Sequence, residues 1–440
     1  MRAGLTLMNK GTPAEGLEFL RRAESLRPTH LSTLQAVATA FLRTGDAASA
    51  LERFGKALAV EPACSAALHG KGLALHALGD RFGALTAFRA MAAQDPDAWK
   101  AWQSIADITD DEGERLVAID QAAVILARLC AGPAAPAQLL PVCADSLVQA
   151  HRHEDAREFI TLNAARFRTP ADACNRLADA HYQAGAFREA FFHKARALDL
   201  LTPEDIPPPR PAQLFDTVAA MLALEGISAI LRARGIRFFL VAGTLLGLVR
   251  DGALLTSDRD VDIGVFRSRA GTPDIAGLVR THPDLFLRRD ARPGERYYAI
   301  LYKGTGIDIF LHDTTDDGHV TCGVGDHPGD IQWRYDRFGL ADAHLAGKAW
   351  QVPEDPSSYL RQTYGQGWQD PDPGFASAIS SPALYQVDPY ARAYYSVARA
   401  RKALLTGDRD KARALLSQSP IPMGELSLFS AAPPHGNSQA

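Results

Sequence analysis

Apolar residues recur at helical spacing through the first half of the chain and change to short continuous or alternating runs in the second, which predicts helices first and an α/β region after them. Gly11, Gly45, Gly79 and Gly113 recur every 34 residues, and Pro28, Pro62 and Pro96 keep the same interval. Leu17, Leu51 and Leu85 stay in register, as do Leu20, Phe54 and Phe88. Such self-similarity marks stacked units that bury a core only against their neighbours. Each unit reads as an apolar-periodic helix, a glycine where the chain turns, a second amphipathic helix, and a proline that stops it. In the second unit these parts are 31–42, Gly45, 48–59 and Pro62. Ala50 and Ala84 are small, as two closely approaching helices require, and the fourth unit has Cys130 in place of its closing proline. After a Pro/Ala-rich break at 132–141, the stretch 171–182, Gly185 and 187–198, closed by Pro203, forms one more unit in a shifted register. The prolines of 203–212 predict a stiff extended linker and a domain boundary.

Beyond the linker, 214–234 is a helix ended by Gly235, and RFFLVA at 237–242 is a buried strand. Gly243 and Thr244 stand at the junction with a helix over 245–250. Residues 260–266 alternate, placing Asp260 and Asp262 on one face of a strand with Val261, Ile263 and Val265 on the other. A hairpin follows, 297–302 and 307–311 around a turn at 303–306. Later, 352–368 reads as a helix capped by Asp355, with Pro356 in its first turn and Gly365 at its end. Helices return over 389–416 around Gly407, and the last residues form a frayed tail.

Length and composition then narrow the class. A chain of 440 residues is too long for one ordinary core, and 47% apolar with 22% charged residues is ordinary globular composition. A net charge of -4 gives no basic excess for nucleic acid. Cys64, Cys130, Cys143, Cys174 and Cys322 are scattered without CxxC spacing, which favours reduced thiols and a cytoplasmic setting. The longest apolar run, 238–249, is too short to span a bilayer, so any membrane attachment is peripheral, at the inner face.

The candidate chemistry lies between residues 243 and 308. Gly243 lets the backbone approach a ligand, and Thr244 adds a hydroxyl to the amides of a helix start, a combination that favours an anion. Asp260 and Asp262 side by side repel one another and invite a divalent cation. Hard oxygen ligands suit Mg²⁺ or Mn²⁺, and Asp258, just ahead of the strand, adds a third carboxylate. The glycine and glutamate of a calcium loop are absent. Asp308, between Ile307 and Ile309, is a lone charge in an apolar strand and needs a metal, a proton from an acceptor hydroxyl, or an arginine as partner. His312, His319, Cys322 and His327 match no common zinc spacing and read as a polar loop. Tyr297, Tyr298, Trp333 and Trp350 offer faces for stacking on a base or sugar, although aromatic residues on short strands more often pack in the core. Arg288, Arg289, Arg292 and Arg296 form a basic stretch that reads equally as solvated loop or as a face toward an anionic substrate.

Two resemblances follow from these residues. The 34-residue unit resembles the tetratricopeptide repeat over 1–96, and less clearly to about 130. Repeats of this kind imply a protein or peptide partner on a concave face, or a brace for the catalytic domain. GTLLGLVRDGALLTSDRDVDIGV resembles the LicD/fukutin-related family, in which a GTLLG-x-x-R run precedes an aspartate-rich D-x-D-x-D. The pattern carries Gly243, Thr244, Leu246, Gly247, Arg250, Gly252, Asp258, Asp260 and Asp262, and matches Asp308 to a later strand carboxylate. The VP, YL and YG of 352–368 extend the likeness, which runs over roughly 213–375. Asp251, Thr256-Ser257 and Arg259 depart from it, standing where the family often has a histidine, a Pro-Trp pair and a further aspartate.

The resemblance implies a multidomain chain: an all-α tetratricopeptide-type solenoid (1–202), the Pro-rich linker (203–212), an α/β mixed-sheet nucleotidyltransferase-like domain (213–385), a C-terminal helical hairpin (386–425) and a disordered tail (426–440). It also implies a phosphotransferase moving phosphocholine or a polyol phosphate from a CDP-linked donor to a sugar or glycan hydroxyl. In that reading Asp260 and Asp262, with Asp258, hold the metal against the donor pyrophosphate. Thr244, Arg250 and the amides around Gly243 and Gly247 bind phosphate oxygens. Asp308 ligates a second metal or deprotonates the acceptor. The competing readings are nucleotidyl transfer from a nucleoside triphosphate and a non-catalytic repeat scaffold.

Overall fold

The computed structural model describes residues 2–209, 214–267, 271 and 273–423. It divides into two compact units, Met1–Ala150 with Arg280–Pro283, and His151–Val279 with Asp284–Ala440.

The first unit is a run of antiparallel helix pairs, as the 34-residue period requires. They are α1 (Arg2–Asn9) with α2 (Pro13–Leu26), α3 (Leu31–Arg43) with α4 (Ala47–Val60), α5 (Ser65–Ala77) with α6 (Arg81–Gln94), and α7 (Trp99–Ile108) with α8 (Glu112–Cys130), followed by α9 (Leu139–Gln149). Gly11, Gly45 and Gly79 adopt φ of 86°, 85° and 84°, the left-handed turn that glycine adopts without steric cost. Asp46 and Asp80, also 34 apart, cap α4 and α6 by accepting from Ser49 N–H at 2.9 Å and Gly83 N–H at 2.8 Å. Gly113 differs. It sits in the first turn of α8 behind the Asp111 cap, so the fourth pair turns without a left-handed glycine. The in-register Phe54 and Phe88 rings fill the places where Gly70 and Gly72 lack a side chain; a Cβ there would approach them to 2.1 and 2.3 Å.

In the second unit α10 (His153–Leu162), α11 (Pro170–Gln183) and α12 (Phe187–Asp199) precede the described part of the Pro-rich segment. That segment is not free-standing: Thr202 and Asp205 cap each other, and the carbonyls of Pro207 and Pro208 lie against Gly407. The expected linker residues 210–212 and the tail 426–440 lie outside the described residues. Next come α13 (Thr217–Ala233), β1 (Phe239–Leu240), α14 (Ala242–Arg250), β2 (Asp260–Phe266), α15 (Ile275–Thr281), β3 (Leu285–Leu287), β4 (Tyr297–Tyr302) and β5 (Thr305–Thr314). The chain continues through β6 (His319–Gly323), β7 (Gln332–Asp336), β8 (Leu340–Leu345), β9 (Lys348–Pro353), α16 (Pro356–Tyr364), α17 (Ser377–Ser380), α18 (Pro389–Leu404) and α19 (Arg409–Ser417).

The sheet order is β1-β2-β5-β4-β3, extended by β6 on β5 and β7 on β6, with β8 and β9 as a separate hairpin. Only β2 and β5 among these pairs run parallel, so the sheet is mixed, and the helical region followed by this domain gives the multidomain all-α plus α/β architecture. Val261, Ile263, Val265, Ile307, Ile309 and Leu311 are buried on one sheet face, where α13 contributes Leu224, Ile227 and Leu231 to the same core. The β4–β5 turn is shorter than the four residues expected, because Lys303 and Gly304 both take positive φ, 50° and 87°, and Tyr302 pairs directly with Thr305.

Candidate active site

The site is built where β2 and β5 run side by side. Asp260 and Asp262 share a face of β2, as the alternation requires, and Asp262 is the direct cross-strand partner of Asp308. Adjacent strands stand about 4.8 Å apart, so these two carboxyl groups are neighbours. Asp258 precedes the strand, its Oδ1 accepting from the Arg259 N–H at 3.1 Å. The carboxylates of Asp258, Asp260 and Asp262 bring one oxygen each to within 4.8 Å of the others. Among the described residues they alone form a cluster fit for a metal ion.

Helix α14 closes one side. Its entry is sharper than the sequence predicts: β1 is two residues long, and Ala242 turns the chain into the helix with φ of 44°. Gly243 and Thr244 therefore lie inside the first helical turn. Gly243 N–H donates to Asp262 Oδ2 at 2.9 Å, and a Cβ at Gly243 would come within 2.2 Å of Asp258 Oδ2. Glycine is required there because carboxylates occupy the space of a side chain. Three other expected phosphate ligands are placed differently. Thr244 is 1% exposed and its Oγ1 accepts from Asp262 N–H at 2.7 Å, so the hydroxyl fixes the strand to the helix. Gly247 is a packing position, since a Cβ would meet the Ala253 carbonyl at 2.6 Å. Arg250 donates twice to the adjacent Asp251 carboxylate, at 2.8 and 2.9 Å, and is engaged by the residue that departs from the family pattern.

The electrostatics follow from crowding negative charge where water is scarce. Burial, then repulsion from Asp260, raises the Asp258 carboxyl to about 6. Burial raises Asp260, partly offset by Arg259 and Arg399. Asp262 lies well above the usual carboxylate range through burial and the charges of Asp260, Asp258 and Asp308. Asp308 reaches about 7 through burial and repulsion from Asp260, although Tyr297 Oη donates to its Oδ1 at 2.8 Å. These are the costs a divalent cation removes, and an all-oxygen donor set of this spacing fits Mg²⁺ or Mn²⁺.

Several residues escaped the sequence reading. Tyr297, read as a core or stacking residue, is half-buried and is the hydrogen-bond donor to Asp308; its companions Tyr298, Trp333 and Trp350 are buried in the core. Burial, and then the charges of Asp262 and Asp258, raises the phenol of Tyr364 on α16. Its place in the YG pair was the only signal. The basic stretch is engaged elsewhere: Arg288 binds Asp290, Arg292 binds backbone carbonyls of 289 and 290, and Arg296 binds Gln332. His312, His319 and Cys322 are strand residues, not a loop. His312 is fully buried with Nδ1 at 3.0 Å from the Phe310 carbonyl, and His327 Nε2 lies 3.0 Å from the Gln183 carbonyl.

Fold and site together define a mixed-sheet domain that presents a carboxylate cluster against a helix start. Residues 235–355 match the model of the LicD/FKTN/FKRP nucleotidyltransferase domain, so the likeness read from the GTLLG and DxDxD runs holds over that segment. LicD domains belong with transferases, and that is the class the segment indicates. No curated protein matches the chain. Solved structures similar to its helical part include a tetratricopeptide repeat protein from Parabacteroides merdae, 16% identical, covering 46% of this chain and 77% of that one at a TM-score of 0.30. The pilF protein of Pseudomonas aeruginosa is 16% identical over 44% of this chain and 87% of its own, at 0.32. PilW, a type IV pilus biogenesis factor, is 15% identical over 44% and 89%, also at 0.32. At those scores the helix pairs described above, and not the neighbours, carry the repeat assignment.

Proposed function

We propose that this domain transfers a substituted phosphate, of the phosphocholine or polyol phosphate type, from a CDP-linked donor to a sugar or glycan hydroxyl. The observation that carries the reading is the convergence of Asp258, Asp260 and Asp262 with Asp308 on the next strand, inside the segment that matches the LicD domain. Asp258, Asp260 and Asp262 are the residues to hold Mg²⁺ or Mn²⁺. When bound, the metal supplies charge neutralisation at the transferring phosphate. Gly243 N–H and Tyr297 Oη fix Asp262 and Asp308 so that the carboxylates need not reorganise during transfer. Asp308 stands outside the three-carboxylate cluster, and with a carboxyl raised to about 7 it is suited to take the proton of the acceptor hydroxyl at Oδ2, the oxygen that Tyr297 leaves free.

The row Asp260, Gly306, Leu301, Phe286 crosses four strands on the same face, and Leu301 and Phe286 are exposed. They form an apolar shelf suited to the cytosine ring of the CDP-linked donor. The repeats in turn are proposed to hold a protein partner. No described helix is long and apolar enough to cross a membrane; the cytoplasmic setting, with peripheral attachment at the inner membrane face, remains a proposal resting on the free thiols.

Asp260→Ala is expected to abolish Mg²⁺-dependent transfer and Mn²⁺ binding together. Asp308→Asn should keep Mn²⁺ affinity while transfer falls at least about a hundredfold, the usual worth of a general base. Mass spectrometry of the product separates a transferred substituted phosphate from a transferred nucleotide. Full activity in purified Asp260→Ala protein would remove the metal assignment.

A further inference from the structure

Helix α18 lies beyond the segment that matches the LicD domain, yet two of its basic side chains, Arg399 and Lys402, act on the site carboxylates. Arg392, Tyr395, Arg399 and Lys402 follow one another at intervals of three, four and three, a single stripe on a helix. Two members show where the stripe points. Arg392 Nε donates to the Ile379 carbonyl at 2.7 Å, and Tyr395 packs against the core that contains β2 and β5. One turn further, Arg399 acts electrostatically on both Asp260 and Asp308, and Lys402 acts on Asp260. Arg259, between the first two site aspartates, is near enough to Arg399 for the two guanidinium groups to repel.

These cations differ from the other basic groups around the site. Arg250, Arg288 and Arg296 each have a hydrogen-bond partner in the protein. Among the described residues the side chains of Arg259, Arg399 and Lys402 have none in hydrogen-bond or ion-pair range, and all three are exposed to solvent. Like charges held close are unfavourable unless negative charge compensates them. The nearby carboxylates do not answer this need once they are committed to a cation. Arginine suits the role because its fork binds two phosphate oxygens at once.

We propose that Arg259, Arg399 and Lys402 form an anion site that holds the diphosphate of the donor on the open side of the carboxylates, making the α18–α19 hairpin part of the active site. The proposal rests on the reading of those carboxylates as a metal centre. It replaces Arg250, which is bound to Asp251, as the source of positive charge for the phosphate. It also explains a departure in the acidic run: an arginine at 259 adds a ligand for the anion where a further carboxylate would repel it.

Calorimetric titration of the full chain with inorganic pyrophosphate, with and without Mn²⁺, tests this. Arg399→Gln and Arg259→Gln should leave Mn²⁺ affinity within about twofold and weaken pyrophosphate by about tenfold or more, the loss of one charge-assisted contact. Arg399→Lys should recover part of the loss, and Arg413→Gln, on α19 and paired with Asp410, should change neither titration. Arg399→Gln protein that unfolds at the wild-type temperature and binds pyrophosphate as tightly as wild type overturns the anion site. If wild type binds no Mn²⁺, the metal reading falls and the metal-free titration decides the anion site. Weaker pyrophosphate binding in Arg399→Gln then upholds it, and equal or absent binding overturns it.

Discussion

The four site aspartates carry a thermodynamic signature that single-residue changes can read. Their carboxyls titrate near 3.8 when unfolded, whereas Asp258 and Asp308 are raised to about 6 and about 7 in the fold. Between those values the native state binds more protons than the unfolded chain, so unfolding free energy decreases as pH rises. The stabilising contribution is complete below the unfolded value and disappears as pH passes through about 7. Metal-free protein is therefore expected to lose thermal stability between about pH 4 and pH 7, and Asp308→Asn should flatten that decline. Saturating Mg²⁺ should oppose it, since the ion binds deprotonated carboxylates of the native state. Melting temperature against pH, with and without Mg²⁺, measures all three; an identical decline in Asp308→Asn would remove Asp308 from the account. At this scale the sequence was informative about the carboxylates, because β alternation alone aligns Asp260 with Asp262. It was silent on what Thr244, Gly247 and Arg250 touch, because that depends on what lies opposite them. A hydroxyl at a helix start looks the same in sequence whether it faces a ligand or the Asp262 amide.

Periodicity made most elements legible and left their partners obscure. The repeat glycines, the Asp46 and Asp80 caps and the β4–β5 hairpin all follow from local rules. Nothing local says that the 187–198 helix packs on the 389–404 helix, since both are simply amphipathic. In the fold, Phe191 and Leu198 of α12 join Ala393, Val397 and Leu404 of α18 in one cluster. Polar contacts fix the register of this packing. Lys194 donates to Asn175 Oδ1 at 2.9 Å and to Asp179, while Tyr394 Oη donates to Asp179 Oδ1 at 2.6 Å. Tyr182, stacked on Tyr394, donates to Asp330, a buried carboxylate that also accepts from Ile331 N–H at 2.6 Å. Tyr182→Phe keeps the ring and removes the donor, so Asp330 loses a partner where burial already disfavours its charge. The expected cost is roughly 1–3 kcal/mol by urea unfolding, with Mn²⁺ affinity unchanged. A loss under about 0.5 kcal/mol would mean that water replaces the phenol.

For the whole molecule, the same contacts move the compact boundary from the prolines to the junction of Ala150 and His151. Proline content signals a stiff connection but not whether the elements on either side of it share a core. Here they do: Ala171, Leu198 and Leu201 before the prolines pack with Ile379, Ala400 and Leu415 after them. Cutting the chain at the prolines therefore removes one side of a core, whereas cutting at residue 151 leaves that core whole. A chain of residues 151–440 is expected to unfold cooperatively and to bind Mn²⁺ like the full protein. A chain of 214–440 exposes Ala393, Val397 and Leu404 and frees α18, which carries Arg399, from its support. It should aggregate or, if soluble, bind pyrophosphate more weakly than Mn²⁺ binding alone would account for. Light scattering, thermal unfolding and the two titrations compare the pieces directly. If 214–440 matches 151–440 in all of them, helices α10 to α12 contribute nothing to the catalytic unit and belong functionally with the repeats before them.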